Sequence, residues 1–227
     1  MRSRCAMPGL FITLEGADGA GKTTQGALLA QAFRILGYPV VETREPGGTP
    51  VSEAARRVLL DPSLKGMAPM AEVFLYAAAR AQLVSEVIRP ALASGAVVIC
   101  DRFTDSTLAY QGFGRGLELE RLAAINRMAT EGLTPDLTLL LDIDTGEGLG
   151  RARQRRPERT EWQGADRMEL EEAAFHERVR RGFLRLAEKD RARIHPIAAG
   201  GAIAEVHRRI IDAARRLAPN LPYCQEE

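Results

Sequence analysis

The most restrictive stretch of this 227-residue chain is Gly16-Ala-Asp-Gly-Ala-Gly-Lys22-Thr23, which fits the pattern G-x4-G-K-[ST]. The apolar run Leu10–Leu14 stands just before it, and a helix-compatible run, TTQGALLAQAFRIL, starts at Thr23. A strand that turns into a helix through three glycines makes a β–loop–α unit. The glycines let backbone N–H groups converge on one point, and the helix N-terminus adds its positive dipole end there, which suits a phosphate.

The rest of the chain supplies partners for that unit. Short apolar runs at Leu10–Leu14, Pro39–Thr43, Val97–Cys100, Leu137–Asp142 and Arg193–Ile197 read as strands. Between them, helical patterns lie near 22–36, 50–60, 69–93, 103–111, 117–131, 145–156, 168–189 and 202–217. Apolar runs that do not alternate predict strands covered on both faces. The expected fold is therefore α/β: a doubly wound, five-stranded parallel sheet flanked by helices, with ligands at the carboxyl ends of the strands. No repeat or linker divides it, so residues 1–227 read as one domain.

Residues 151–169, RARQRRPERTEWQGADRME, stand apart with six arginines, four carboxylates and little apolar content. Such a segment buries little and is expected to be mobile, as a lid or as a solvated loop. The overall charge is balanced, 31 basic against 30 acidic residues, which gives no reason to expect a nucleic-acid partner. Cys5, Cys100 and Cys224 show no paired spacing, pointing to a reducing compartment rather than a disulfide framework or zinc site. MRSRCAMP is followed by no long apolar stretch, and no run is long enough to span a membrane, so a cytoplasmic protein is expected.

The loop predicts a nucleotide triphosphate held by Gly16, Ala17, Asp18, Gly19, Ala20, Gly21, Lys22, Thr23 and Thr24. Lys22 reaches the β/γ oxygens and the Thr23 hydroxyl ligates Mg²⁺. Motors, switches and kinases share this device, so the loop alone does not give the reaction. Asp18 is informative. A carboxylate inside an anion cradle either faces away, toward an acceptor hydroxyl, or is merely exposed at the tip. Val97-Val-Ile-Cys-Asp101-Arg102 reads as a buried strand ending in an acid suited to Mg²⁺ and an arginine suited to clamping a phosphate. Thr43-Arg-Glu45-Pro-Gly-Gly48 leaves the next strand at the same edge, with a candidate cis Glu45–Pro46 bond. Tyr76 and Arg80 are i,i+4 on one helix, as a ring and guanidinium for a base or as a core aromatic beside a surface arginine.

Taken together, FITLEGADGAGKTT, TREPGG, YAAARAQL, DRFTDSTLAYQGFGRG and PDLTLLLD resemble the bacterial thymidylate kinases, in the family's order and over nearly the whole chain. The resemblance implies a P-loop kinase fold, transfer from ATP to dTMP with Mg²⁺, and a homodimer. It implies that Asp18 contacts the acceptor sugar and Arg102 the acceptor phosphate, with Arg56 and Glu45 nearby. It implies base-reading positions at Arg80, Thr107 and Gln111, with Tyr110 beside them, and it puts Tyr76 where the family usually stacks a Phe on thymine. Some members carry a catalytic arginine in the loop and others in the lid. The loop positions here are Ala17, Asp18 and Ala20, so the chain resembles the lid-arginine type, with Arg155 and Arg153 the leading candidates among Arg151, Arg153, Arg155, Arg156 and Arg159.

Two other functions stay open at the level of sequence. One is a kinase for another nucleoside monophosphate such as dUMP. The other is a non-enzymatic P-loop switch, against which count the missing D-x-x-G after Asp101 and the arginine-rich segment. His176, His195 and His207 have no ligand-like spacing and read as structural or solvated.

Overall fold

The computed structural model describes residues 9–154 and 166–224, and of Arg153 only the backbone. Five strands form one parallel sheet: β1 (Leu10–Gly16), β2 (Val40–Arg44), β3 (Val97–Asp101), β4 (Leu137–Asp142) and β5 (Ile194–Ala198), in the order β2-β3-β1-β4-β5. All five fall on the expected apolar runs. Strand β1 is central, with Ile12 opposite Ile99 on one side and Leu137 on the other. The chain lays β2 and β3 on one side of β1 and then crosses over to place β4 and β5 on the other, and the crevice at this change of side lies at the carboxyl end of β1.

The two faces of β1 carry different cargo. Ile12 and Leu14 enter a core with Leu29 and Phe33 of α1 (Lys22–Ile35) and with Ile210 and Ile211, which belong to the last helix of the described residues (Ile203–Ala214). On the other face Phe11 meets Phe103 edge-on at 4.9 Å, and Thr13 and Glu15 point the same way, fully buried. A carboxylate and a hydroxyl on a buried strand need polar partners. Thr13 shares a hydrogen bond with Thr138 at 2.8 Å, and Glu15 accepts from the Phe103 N–H at 2.8 Å and the Ser106 hydroxyl at 2.6 Å.

Helices α2 (Pro50–Leu60) and α3 (Pro69–Leu83) follow β2 and pack on each other. The pattern over 69–93 predicts one helix, but the structure interrupts it with a π-helical turn at Val84–Ile88 before α4 (Arg89–Ala93). Pro90 has no N–H to continue the ordinary ladder, and the helix widens just before it so that the Arg89 N–H reaches back to Val84 O. After β3, α5 (Thr104–Thr107) runs into a second π-helical segment, Leu108–Gly114. Then come α6 (Leu119–Thr130), α7 (Thr145–Gln154), α8 (Ala173–Lys189) and α9 (Ile203–Ala214). No helix of the described residues is long and apolar enough to cross a membrane.

Candidate active site

The loop after β1 has the geometry its sequence demands. Gly16 (φ 136) and Gly19 (φ 78) lie where side chains are strained, and a Cβ at either would strike backbone. At Gly16 it would meet Leu141 O at 2.3 Å, and at Gly19 Gly148 O at 2.0 Å. The second contact shows that α7, the helix leading to the arginine-rich segment, lies directly against the loop. Lys22 folds back to donate to Gly16 O at 3.1 Å and Ala17 O at 2.9 Å. Burial, then the nearby Arg102 cation, pull its ammonium down to about 8. The Thr23 hydroxyl donates to Asp101 Oδ2 at 2.8 Å, so its lone pairs stay available beside a carboxylate.

Asp18 turns away from this cradle. Its carboxylate meets Arg102 Nη2 at 2.6 Å and accepts from the Tyr110 hydroxyl at 3.2 Å. Burial opposes its charge, but Arg102 and then Lys22 hold it at about 2. Arg102 has φ 73, a conformation rare for a side-chain-bearing residue, and its N–H bonds Leu14 O across the sheet end. From there its guanidinium also reaches Gly16 O and Ser106 Oγ and lies 5.0 Å over the Tyr110 ring. Glu15 stabilises this turn by accepting from the N–H groups of Phe103 and Ser106. Burial, with Asp105 close by, raises the Glu15 carboxyl to about 7.

Beyond Asp18 opens a cleft of about 590 Å³ that includes its mouth. Its wall gathers the expected Glu45, Arg56, Tyr76, Arg80, Arg102, Thr107, Tyr110 and Gln111 with the loop's Asp18. The second cleft, along the loop, is lined by Lys22, Thr23, Asp101 and Ala152 of α7, and it shares Asp18, Glu45, Arg56 and Arg102 with the first. Two ligand sites therefore meet at one wall.

The Glu45–Pro46 bond is cis. Glu45 pairs with Arg80 at 2.6 Å, both almost wholly buried. Arg80 donates to Glu45 through Nε and Nη2, to Thr107 and Asn126 through Nη1, and to Phe103 O through Nη2. A guanidinium has five N–H donors, and these contacts use all of them. Arg80 thus brings its charge to the cleft while its hydrogen bonds hold the cleft's frame together. Burial raises the Glu45 carboxyl despite this pairing. Arg56 donates to Pro46 O at 2.9 Å from the floor of the same turn.

Several groups escape a reading of the sequence. Asp166 and Met168 line the acceptor cleft, and between them Arg167 is buried against Glu72, Nη1 to Oε2 at 2.6 Å, and against Leu59 O at 2.9 Å. These residues belong to the segment expected to be mobile over 151–169; its last part is packed, because Glu72 neutralises the arginine and Met168 fills apolar space. Glu72 itself carried a signal, since it lies four residues before Tyr76 and eight before Arg80 on one helix face. Thr24 follows Thr23 in the first turn of α1. Of the expected lid arginines, Arg151 pairs with Glu147, Arg153 lies on the α7 backbone, and Arg155, Arg156 and Arg159 lie outside the described residues. His176 and His207 are buried as side chains of α8 and α9.

A phosphate-binding loop on a central parallel strand, opening into a second cleft that shares its arginine and aspartate, defines a P-loop kinase that passes phosphate between two bound nucleotides. The sequence model of the thymidylate kinase family matches residues 14–210. A thymidylate kinase of Trichlorobacter lovleyi is 49% identical over 90% of this chain and 96% of its own length. Those of a Synechococcus strain and of Pseudomonas fluorescens are 54% and 52% identical, covering 88% and 95% of this chain and 93% and 97% of theirs. The crystal structure of thymidylate kinase from Ehrlichia chaffeensis superposes with a TM-score of 0.70 at 34% identity, covering 90% of this chain and 98% of that one. The chain belongs to the thymidylate kinase family.

Proposed function

We propose that the chain transfers the γ-phosphoryl group of ATP to the phosphate of dTMP, giving dTDP and ADP, as a cytoplasmic enzyme of nucleotide biosynthesis. The observation that carries this is the shared wall: the cleft along the loop cradle and the second cleft are both lined by Arg102, Arg56 and Asp18, so a phosphate in each would meet there. Phosphoryl transfer needs positioning and charge neutralisation more than covalent chemistry. Lys22 and the loop N–H groups hold the donor phosphates. Arg102, cocked by its positive φ and braced by Glu15, presents its fork to the acceptor phosphate. Asp18 accepts from the sugar hydroxyl, and Tyr76 lies along the base. Thr107, Tyr110 and Gln111 bound the base edge, and Arg80 places a fixed positive charge there.

Thr23 and Asp101 offer hard oxygen donors side by side, a set that suits a Mg²⁺ ion keeping most of its waters and bound with ATP. That ion would supply charge neutralisation on the β and γ phosphates. A catalytic arginine from Arg153 or Arg155 is consistent with the seat of α7 against Gly19 and with the absence of arginine among Ala17, Asp18 and Ala20. The segment around 151–169 would then act as a lid over one domain spanning 1–227, excluding water during transfer. Exposed Met70 and Phe74 on α3 and Met128 on α6 support a homodimer. A net charge of +1 gives no reason to expect a nucleic-acid partner. The test is the product: ³¹P spectra of ATP with dTMP should show dTDP appearing in step with ADP. ADP and inorganic phosphate without dTDP would refute the transfer.

A further inference from the structure

Deep in the acceptor cleft, Gln111 donates from Nε2 to Glu72 Oε1 at 2.7 Å, with both side chains buried. Glu72 sits on α3 and Gln111 in the π-helical segment after α5, so two separate elements bring them together. Glu72 also receives Arg115 Nε at 2.8 Å and Nη2 at 3.0 Å, and Arg167 Nη1 at 2.6 Å. Burial works against its charge, but the bonds from Arg115 and Gln111 hold its carboxyl below the usual range. It is an ionised carboxylate, and an ionised carboxylate only accepts. The atom of Gln111 that touches it must therefore be the nitrogen. Turning the amide over would set a carbonyl oxygen against a carboxylate oxygen in a buried place, two acceptors with no hydrogen between them.

With the nitrogen committed to Glu72, the carbonyl oxygen is the fixed opposite end of the amide. It accepts no hydrogen bond among the described residues, yet it is not sealed from solvent, and the cleft is the space that Gln111 lines. A carbonyl oxygen there selects a base edge that donates. The N3 of thymine or uracil carries a hydrogen, whereas the N3 of cytosine is an acceptor. We propose that Glu72 is a specificity-setting positioning residue: by locking the Gln111 amide in one orientation, it makes the cleft accept pyrimidines with an N3–H and reject cytosine. Glu72 touches no substrate and acts through Gln111. The same carboxylate holds Arg167 and, through Arg115, Glu171 at 2.8 Å, so the base reader shares its anchor with the residues that close the arginine-rich segment.

This inference rests on dTMP as acceptor with Gln111 at its base edge. The experiment compares kcat/KM for dTMP and dCMP in the parent, Glu72→Gln and Gln111→Met enzymes. A glutamine at 72 can donate or accept, so the Gln111 amide is free to turn. The dTMP-to-dCMP ratio should fall about tenfold or more in Glu72→Gln, since mispaired buried polar groups are the source of such discrimination, while the KM for ATP stays within about twofold. A role in folding alone would lower both pyrimidines together and leave the ratio unchanged, and that result overturns the proposal. A ratio kept in Gln111→Met would instead remove Gln111 from the base edge, a separate failure. If Glu72→Gln does not fold because Arg167 is left buried and unpaired, Glu72→Gln with Arg167→Met removes both charges and should show the same loss. The parent enzyme decides without any variant: the Gln111 side-chain NH₂, followed by ¹⁵N NMR, should exchange slowly with and without dTMP. Fast exchange in the dTMP complex would mean that the amide leaves Glu72, and the proposal fails.

Discussion

The donor and acceptor halves of this site hold nucleotides by opposite means. The donor half is one loop between adjacent elements, built from backbone N–H groups and needing only Lys22, Thr23 and the conformational freedom of its glycines. The acceptor half is a lattice of buried side chains drawn from distant parts of the chain. Glu45 pairs with Arg80, Asp18 with Arg102, and Glu72 with Arg115 and Arg167. A loop that binds triphosphate through its backbone serves any nucleotide. A lattice of side chains can tell one acceptor from another, but each ion pair must repay the desolvation of two charges. Losses on the donor side should therefore appear in turnover with little change in stability, and losses on the acceptor side in both.

The largest effect is expected where a buried ion pair loses one partner. Arg80→Met leaves the buried Glu45 carboxyl without its partner and takes a donor from Thr107, Asn126 and Phe103 O, so unfolding free energy should drop by about 3–5 kcal/mol. Urea titration with circular dichroism reads it directly, and a drop under about 1 kcal/mol would mean that the pair is not structural. Lys22→Ala should cut kcat by about 10²–10³-fold, as loss of one charge-stabilising donor does, with a urea midpoint close to the parent's. An equal loss of stability would erase the contrast between the halves. Arg102→Lys keeps the charge but cannot span Asp18, Gly16 and Tyr110, and should raise the KM for dTMP about tenfold while that for ATP changes little.

A smaller effect depends on pH. The free ammonium of Lys22 lies near 8, and the triphosphate favours its charged form, so nucleotide raises that value. Below pH 7 the lysine is already charged and ATP binding takes up no proton. Above pH 8 binding must add one, and Kd should rise by up to about tenfold per unit until the bound value is passed. Calorimetry in buffers of different ionisation enthalpy measures the uptake, and a flat profile from pH 7 to 10 would contradict the assignment. The smallest change is at Arg34–Glu42, an ion pair at 2.7 Å in open solvent, where Glu42→Ala should cost under about 0.5 kcal/mol.

The same contrast governs what could be read from the chain before folding. The loop, the five strands and the edge residues Asp101 and Arg102 are local patterns, and each stands where its neighbours in sequence put it. The acceptor lattice is made of pairs such as Glu72 with Arg167, whose spacing carries no periodic signal. Composition alone made Arg167 part of a solvated segment; its partner Glu72 makes it a core residue. Glu15 was legible in principle, because Thr13 and Glu15 alternate with Ile12 and Leu14, which puts both polar groups on one buried face. Gln111 was placed by resemblance, yet the orientation of its amide follows only from Glu72, which is 39 residues away.

The central claim, one phosphate passed between two clefts that meet at Arg102, is tested most directly by an acceptor panel. ADP release should be measured with ATP and dTMP, dUMP, AMP or CMP in turn, and with no acceptor. The account predicts rapid release with dTMP, little with AMP or CMP, and almost none without an acceptor. Equal release with and without dTMP would contradict it.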